Sequence, residues 1–269
     1  VVARNAGAKC NLRLLIVGDS LTAATTYPNE IARLLSGSGN PKWTMLGTRQ
    51  PSSAQPGVTH EGYGGWTWAA FLSRYNTTLG HKLDTSGKRQ SSPFVYAAPS
   101  GEPGLDIARY IRENCAGQPP DVVTVLLGIN DCFSVDPEVD AAVDARIDVV
   151  LGDAEKFLHA FRAVAPRVVC AVGLTTPPNA RDSAFDASYQ GRYHRWGWKR
   201  IQHRLVQRML TQFGGREREG LYLVPTELNL DPVDGYPNNN GVHPNAAGYQ
   251  QIGASFYCWL KWWLQRAQP

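Results

Sequence analysis

Three short polar segments of the chain lie beside apolar runs that have the length of buried elements. Gly18-Asp19-Ser20-Leu21 follows the first apolar run, Gly128-Ile129-Asn130-Asp131 follows a central one, and Asn240-Gly241-Val242-His243-Pro244 precedes the last predicted helix. Together they supply a hydroxyl, an amide and an imidazole. These groups are the nucleophile, the oxyanion donor and the general base that a serine hydrolase needs.

Each segment taken alone is a weak indication. A Gly-Asp-Ser turn after a strand is often only a helix cap, and an Asn-Asp pair at a strand end is often turn chemistry. A histidine before a proline can begin a helix without any catalytic role. The conjunction of all three in this order is much more specific. The sequence therefore predicts a hydrolase site, provided that the fold brings Ser20 and His243 into contact.

The elements that must position these residues alternate along the chain. Short aliphatic and β-branched runs predict buried strands at 11–17, 42–46, 121–127, 167–173 and 221–224. Apolar residues spaced by three or four predict helices at 27–35, 67–75, 105–114 and 139–161, a helix containing 201–213, and a last helix from about residue 245. The stretches 47–104 and 175–188 are predicted to be irregular, and a long irregular stretch inside a domain is usually functional.

This alternation predicts an α/β fold. We expect a three-layer α/β/α arrangement with a flavodoxin-like parallel sheet of about five strands and helices on both faces. The chain has no internal repeat and no change of composition that would mark a linker, so residues 1–269 are predicted to form a single domain. Ligands of open parallel sheets bind at the carboxyl ends of the strands, where the polar segments lie.

Composition excludes several classes of protein. The chain has 269 residues, 43% of them hydrophobic and 19% charged, which excludes a disordered chain. A net charge of +4 is too small to indicate nucleic acid as a partner, and no apolar run is long enough to span a bilayer. The chain begins with Val1 and no charged leader with an apolar core precedes Cys10, from which we expect a processed or trimmed chain. We separately expect a secreted or extracytoplasmic location.

The cysteines and histidines give no sign of a metal site. Five cysteines without a C-x-x-C spacing exclude a zinc ribbon or a thioredoxin motif. Cys170 is predicted to be a buried small hydrophobic residue, and one or two disulfides among the others are possible, with a connectivity that the sequence leaves open. The histidines show no paired ligand spacing, so we expect neither a metal nor a cofactor.

Four blocks in order resemble the SGNH (GDSL-type) hydrolase family over nearly the whole chain. They are Gly18-Asp19-Ser20-Leu21, His60-Glu61-Gly62-Tyr63-Gly64-Gly65-Trp66, Gly128-Ile129-Asn130-Asp131 and His243-Pro244. The resemblance implies that Ser20 attacks an ester carbonyl while His243 takes its proton. It also implies an oxyanion hole made of the backbone N–H groups of Ser20 and Gly65 and the side-chain amide of Asn130.

One position departs from the family's pattern. The family has an aspartate three residues before the histidine, where this chain has Asn240, and an amide does not stabilise an imidazolium as a carboxylate does. Three interpretations follow. His243 is oriented by Asn240 Oδ1 or by a backbone carbonyl, giving a Ser–His dyad. Alternatively Asp231 or Asp234 substitutes for the missing carboxylate, or the protein is inactive and only binds.

Further residues of the blocks are candidates for lining the substrate region. We expect Asp19 to fix the turn and Asp131 to bind backbone near the site. His60 is predicted to be exposed and, together with Trp66, to face the substrate. Asp19 and Asp131 are placed with them as possible lining residues.

The substrate is the least determined feature. The resemblance implies a carbohydrate O-acetylesterase, with lipase, arylesterase, thioesterase or a non-catalytic carbohydrate-binding protein as alternatives. Tyr63, Trp68 and the aromatic segment 189–198 either stack on sugars or pack helices. The basic series that begins at Arg192 and ends at Arg208 is predicted to be a solvated helix face. We expect a small-molecule or polysaccharide ester as the partner, and the oligomeric state stays open.

Overall fold

The strands form where the sequence has short aliphatic and β-branched runs. The computed structural model describes residues 2–98 and 101–267. Its strands are β1 (Asn11–Gly18), β2 (Lys42–Leu46), β3 (Glu61–Gly62), β4 (Val95–Ala97), β5 (Pro103–Leu105), β6 (Val122–Leu126), β7 (Val169–Gly173) and β8 (Leu221–Val224). Every residue of β6 and β7 is buried, as expected for strands covered on both faces.

The main sheet is parallel and has the strand order β2-β1-β6-β7-β8, with the two-residue β3 paired to the end of β1. This is the flavodoxin-like order. The strands β4 and β5 form a separate antiparallel pair. All five predicted strands are present, and they place the ends of β1 and β6 side by side, with Gly18 opposite Leu126.

The helices surround this sheet. They are α1 (Ser20–Ala23), α2 (Thr26–Leu35), α3 (Trp68–Ser73), α4 (Ile107–Asn114), α5 (Ile129–Cys132), α6 (Asp140–Val164), α7 (Asp182–Tyr189), α8 (Arg195–Phe213), α9 (Thr226–Asn229) and α10 (Ala246–Ala267). Helix α2 packs against α10, whereas α6 packs against α3, α4 and α8. The predicted α/β/α layering is confirmed. None of the helices in the described ranges is long and apolar enough to cross a membrane.

Two of the expectations for helices need correction. The predicted loop 175–188 contains most of α7, whose sequence buries only Ala184 and Phe185 and so shows little periodicity. Val139, predicted as the first apolar residue of the long helix, precedes α6 and is 47% exposed. The apolar stripe of α6 begins instead at Val143, which is buried.

A ladder of ion pairs joins α6 to α8. The contacts are Arg200 to Asp140 at 2.7 Å, Arg204 to Asp144 at 2.5 Å, and Arg208 to Asp148. The basic helix face is therefore partly exposed but matched by acidic residues spaced by four on the neighbouring helix. Surface ion pairs of this kind are screened by solvent and add little to stability.

The buried cysteines are thiols. Cys115, Cys132 and Cys170 lie in the hydrophobic core, and the prediction for Cys170 is confirmed. Burial raises the pKa of the Cys115 thiol to about 11 and those of Cys132 and Cys170 to about 12, so all three stay protonated at neutral pH.

Candidate active site

Ser20 is the first residue of the short helix α1, which follows strand β1 after a single residue, Asp19. Asp19 caps this helix, because its Oδ1 accepts the backbone N–H of Leu21 at 2.9 Å. The Asp19 side chain is 1% exposed. The turn that holds Ser20 at the carboxyl edge of the sheet is thus fixed from within the protein.

His243 lies against Ser20, although the two residues are 223 positions apart. Its Nε2 is 2.8 Å from Ser20 Oγ. On the other side of the ring, Nδ1 is 3.2 Å from Asn240 Oδ1. That oxygen also accepts the backbone N–H groups of Val242 at 3.1 Å and His243 at 2.9 Å, so the acceptor atom of the amide faces the ring.

This geometry determines the tautomer of His243. Since Asn240 Oδ1 can only accept, Nδ1 carries the proton and Nε2 presents its lone pair to the Ser20 hydroxyl. Burial lowers the pKa of His243, which favours the neutral imidazole at pH 7. The ring is therefore held in the form of a general base.

The carboxylates considered as substitutes for the family's aspartate lie elsewhere. Asp231 Oδ1 accepts the backbone N–H groups of Val233 at 2.8 Å and Asp234 at 3.1 Å. Asp234 is exposed, and its backbone oxygen accepts the side chain of Asn245. Among the residues that the structure describes, Asn240 is the partner of His243 Nδ1.

Asn130 follows β6 in the short helix α5. Gly128 begins this helix with φ of +124°, and a Cβ there would lie 2.7 Å from Thr175 Oγ1, so only glycine fits. Asn130 Nδ2 donates to the backbone oxygen of Trp66 at 3.1 Å and makes a longer contact of 3.4 Å with Asp19 Oδ2. The amide thus links the Ser20 turn to the second of the four sequence blocks, residues 60–66, which we call the glycine block.

Gly65 occupies an exposed turn of the glycine block. Its φ is +77°, in the left-handed region that favours glycine, and no atom lies within 4 Å of the position that a Cβ would take. The space beside its backbone is therefore open. The turn therefore suits glycine, and no side chain projects from it at this position.

Asp19 and Asp131 are buried and bind backbone. Asp131 Oδ1 accepts the N–H of Trp68 at 3.0 Å, while its Oδ2 is buried with no partner in the described part of the chain. Burial raises the pKa of each of these carboxyls to about 7. Exposures of 1% and 8% leave them almost no surface for a substrate, so the expectation that they line it is not met.

The expectation for His60 and Trp66 is wrong as well. His60 is 0% exposed; its Nδ1 accepts the Gly62 N–H at 3.1 Å, and its Nε2 is 3.1 Å from Thr25 Oγ1. Trp66 is 3% exposed and its ring packs against Phe71, with the ring planes tilted by 58° and 4.9 Å between centroids. The glycine block turns its backbone toward solvent at residues 64 and 65, and this directs the flanking side chains inward.

An aromatic cavity beside α5 contains one residue, Phe133, that sequence reasoning missed. It has a volume of about 350 Å³, and its lining includes Phe133, Tyr193, Trp196 and Trp198. Phe133 lies three residues, or about one helical turn, after Asn130. The segment 189–198 was singled out for its aromatic content, but Phe133 gave no signal because it reads as an ordinary core residue.

No cluster suited to a metal occurs in residues 2–98 and 101–267: the structure has no group of three His, Cys, Asp or Glu side chains that could hold an ion. A hydroxyl in contact with a neutral imidazole, next to an amide and an open glycine turn, is suited to acyl transfer.

Comparison with solved structures shows where this arrangement of strands and helices recurs. A family 3 carbohydrate esterase of Clostridium thermocellum superposes with a TM-score of 0.59 at 18% identity, over 96% of this chain and all of that one. An acetyl esterase mutant with an acetate ion gives 0.54 at 19%, and a family 3 carbohydrate esterase from Talaromyces cellulolyticus gives 0.53 at 19%. In both cases the coverage is again 96% and 100%. At these identities the likeness shows the fold.

The sequence itself also matches a family model. No protein with a curated description matches the chain. The model described as GDSL-like Lipase/Acylhydrolase matches residues 14–256, which include Ser20, Gly65, Asn130 and His243. The chain therefore belongs to the GDSL-like lipase/acylhydrolase family.

Proposed function

We propose that this protein is a serine ester hydrolase that removes acetyl groups from carbohydrate. The observation that carries the proposal is the 2.8 Å contact between Ser20 Oγ and His243 Nε2. Asn240 holds the ring in the tautomer that a base requires. A protein that only binds sugars has no need of a hydroxyl held against an oriented neutral imidazole.

In the proposed acylation step, Ser20 Oγ attacks the ester carbonyl carbon and its proton passes to His243 Nε2. The carbonyl oxygen becomes an oxyanion, which accepts hydrogen bonds from the N–H groups of Ser20 and Gly65 and from Asn130 Nδ2. His243 then gives the proton to the leaving alcohol oxygen as the C–O bond breaks. The products are the free sugar hydroxyl and an acetylated Ser20.

Deacylation reverses these roles. Water attacks the acetyl carbonyl of Ser20 while His243 Nε2 takes one of its protons, and the same three donors hold the second oxyanion. The proton returns to Ser20 Oγ as acetate leaves. The long contact of Asn130 Nδ2 with Asp19 Oδ2, at 3.4 Å, is the weaker of its two and the one that an oxyanion can replace.

Two observations support a short acyl group on a sugar. The structural relatives named above are described as carbohydrate esterases and an acetyl esterase. The aromatic cavity beside α5, of about 350 Å³, is lined by none of the proposed catalytic residues, but it offers ring faces on which the apolar face of a sugar can stack. A fold-level likeness supports the class of substrate by analogy only.

The test is acetate release from acetylated cellobiose, xylobiose and mannobiose, with p-nitrophenyl acetate as a general ester. We expect the parent protein to hydrolyse both kinds of ester and Ser20→Ala to hydrolyse neither. Ser73→Ala is the matched control, because Ser73 is an exposed serine on α3 whose hydroxyl donates to the backbone oxygen of Ala69 in the same helix. It is expected to retain full activity.

Three results would contradict this proposal in different ways. Equal activity of the parent and Ser20→Ala removes Ser20 as the nucleophile. No hydrolysis of any short ester at any pH favours the non-catalytic alternative. Faster turnover of long-chain p-nitrophenyl esters than of acetyl esters favours a lipase.

A further inference from the structure

Two arginines, Arg49 and Arg89, line one cavity next to the glycine block. The guanidinium carbons of Arg49 and Arg89 lie 5.8 and 5.6 Å from the centre of the Tyr63 ring. Both side chains line a cavity of about 340 Å³. Within the described ranges neither arginine forms an ion pair, and the Nε–H of each is buried without an acceptor.

The nearest buried carboxylate is already engaged by other donors. Glu61 is 0% exposed and accepts the Thr48 N–H at 2.7 Å, the Thr48 hydroxyl at 3.0 Å and the Tyr110 hydroxyl at 2.8 Å, as well as the Tyr63 hydroxyl. Burial raises the pKa of Glu61, and the charge of Arg89 opposes that rise. Glu61 therefore organises the cavity wall, and at most one of the two positive charges is balanced.

The position of Arg89 is set by the protein before any ligand arrives. Its Nη2 donates to Thr48 Oγ1 at 2.9 Å, and Thr48 is itself bound to Glu61. Arg89 pairs with Leu83 across a turn that Asp84 fixes by accepting the backbone N–H groups of residues 86 and 88. A guanidinium that is held in place loses little freedom when it binds.

The cavity is attached to the catalytic segments. The N–H of Tyr63 donates to the backbone oxygen of Gly18 at 3.0 Å, two residues before Ser20. Gly65 follows Tyr63 by two residues in the other direction. A ligand held by the arginines therefore lies beside the segment that presents the proposed oxyanion donor.

We propose that this arginine cavity binds the carboxylate of an acidic sugar, so that the substrates are acetylated saccharides that contain a uronic acid. The inference rests on the proposed function, which supplies the sugar ester. Guanidinium groups bind carboxylates through paired N–H···O bonds, and two like charges facing one cavity repel each other until an anion balances them. A neutral sugar or an acyl chain supplies no such charge.

The test compares two ligands that differ in one group. Cellobiouronic acid has a carboxylate where cellobiose has a hydroxymethyl group, and both are titrated into the catalytically inactive Ser20→Ala protein by calorimetry. We expect the acid to bind at least about ten-fold more tightly at low salt, with the advantage shrinking as NaCl is added. Adding Arg89→Gln or Arg49→Gln is expected to abolish the preference, and Arg89→Lys to restore part of it.

Arg109→Gln is the matched control. Arg109 also lies over a tyrosine, with 4.5 Å to the Tyr96 ring, but Glu113 pairs with it at 2.8 Å. This variant is expected to keep the full preference for the acid. Thermal unfolding of each variant shows whether it is folded.

Equal binding of the two disaccharides, or a preference that survives in folded Arg89→Gln, overturns the proposal. Inorganic sulfate binding as tightly as the acid also overturns it, because the sugar would then contribute nothing. Since the binding assay needs no turnover, it separates the two proposals. If the protein prefers the acidic disaccharide but releases no acetate, the proposed esterase function is refuted and the proposed carboxylate site is supported. If it releases acetate but shows no preference for the acid, the esterase function is supported and the carboxylate site is refuted.

Discussion

Replacing Asn240 by aspartate adds a charge to the site with almost no change in shape. Asn240 Oδ1 accepts three N–H groups, those of Val242, the His243 backbone and His243 Nδ1, and an aspartate oxygen can accept all three. What changes is the net charge of the side chain, whose oxygen lies 3.2 Å from His243 Nδ1: a neutral amide becomes a negative carboxylate. The substitution therefore isolates the electrostatic contribution of the missing carboxylate.

The size of the effect follows from the distance. Two unit charges about 4 Å apart attract by about 4 kcal/mol at an effective dielectric constant of about 20, which bounds the gain in rate near a thousand-fold. Desolvation of the new carboxylate offsets part of this. In serine proteases the reverse change costs about 10⁴ because it gives the wrong tautomer. Here Asn240 already fixes the tautomer, so we expect kcat/KM to rise only about 10- to 100-fold.

The assay is kcat/KM for p-nitrophenyl acetate from about pH 5 to about pH 9, compared on the alkaline plateau. A carboxylate favours the charged imidazolium, so the acid limb of the Asn240→Asp profile is expected to move to higher pH. Asn239→Asp is the control, since it places the same charge on the exposed neighbouring residue. It should leave both the plateau and the limb unchanged.

An unchanged or lower plateau in a folded Asn240→Asp protein would refute this reasoning. It would mean that the imidazolium gains no charge stabilisation from position 240 in the transition state. If kcat/KM rose equally in Asn239→Asp, the effect would come from the added net charge of the protein and not from the position of the carboxylate beside His243.

Three further predictions concern other residues of the site. Asn130→Ala is expected to keep the fold and to lose about 10²–10³ in kcat, and unchanged turnover would remove the amide from the oxyanion hole. Asp131→Asn keeps the acceptor for the Trp68 N–H, so we expect changes in unfolding free energy below about 1 kcal/mol and kcat/KM within about three-fold; a hundred-fold loss would show that its charge is needed. Burial lowers the pKa of His60 to about 4, so the unfolded state binds more protons between about pH 6.5 and pH 4. The contribution of His60 to stability should therefore fall by about 3 kcal/mol as pH drops through this window, measured as the difference between the parent and His60→Gln in urea unfolding. His60→Gln should remove that part of the pH dependence while the opposite contributions of the raised carboxyls persist, and parallel curves for parent and variant would contradict the assignment.

Local sequence predicted the elements that carry a strong period. The strands at 42–46 and 221–224 agree with β2 and β8 to the residue, because their aliphatic runs are bounded by turn residues. The apolar stripe of α6 was visible for the same reason. Helix α7 was missed because a helix that buries two residues leaves almost no periodic signal.

The orientation of single side chains was beyond the sequence. His60 and Trp66 belong to the same block as Gly65, yet the block exposes its glycine backbone and buries both rings. Which way a residue faces in an irregular segment depends on the dihedral angles of its neighbours and on packing with distant elements. Neither the dihedral angles nor the distant packing contacts produce a periodic pattern of residues in the sequence.

The sequence by itself determined which chemical groups this protein possesses and the sheet that gathers them, since both follow from residue type and from patterns that repeat over a few positions. Only the tertiary structure decided that Asn240, rather than Asp231 or Asp234, faces His243, and that Arg49 and Arg89 share a cavity. The first contact is between two residues of one loop, and the second is between residues that are far apart in the chain. Their physical basis is the directional hydrogen bonds and close packing of the folded state, which leave no local trace in the order of amino acids.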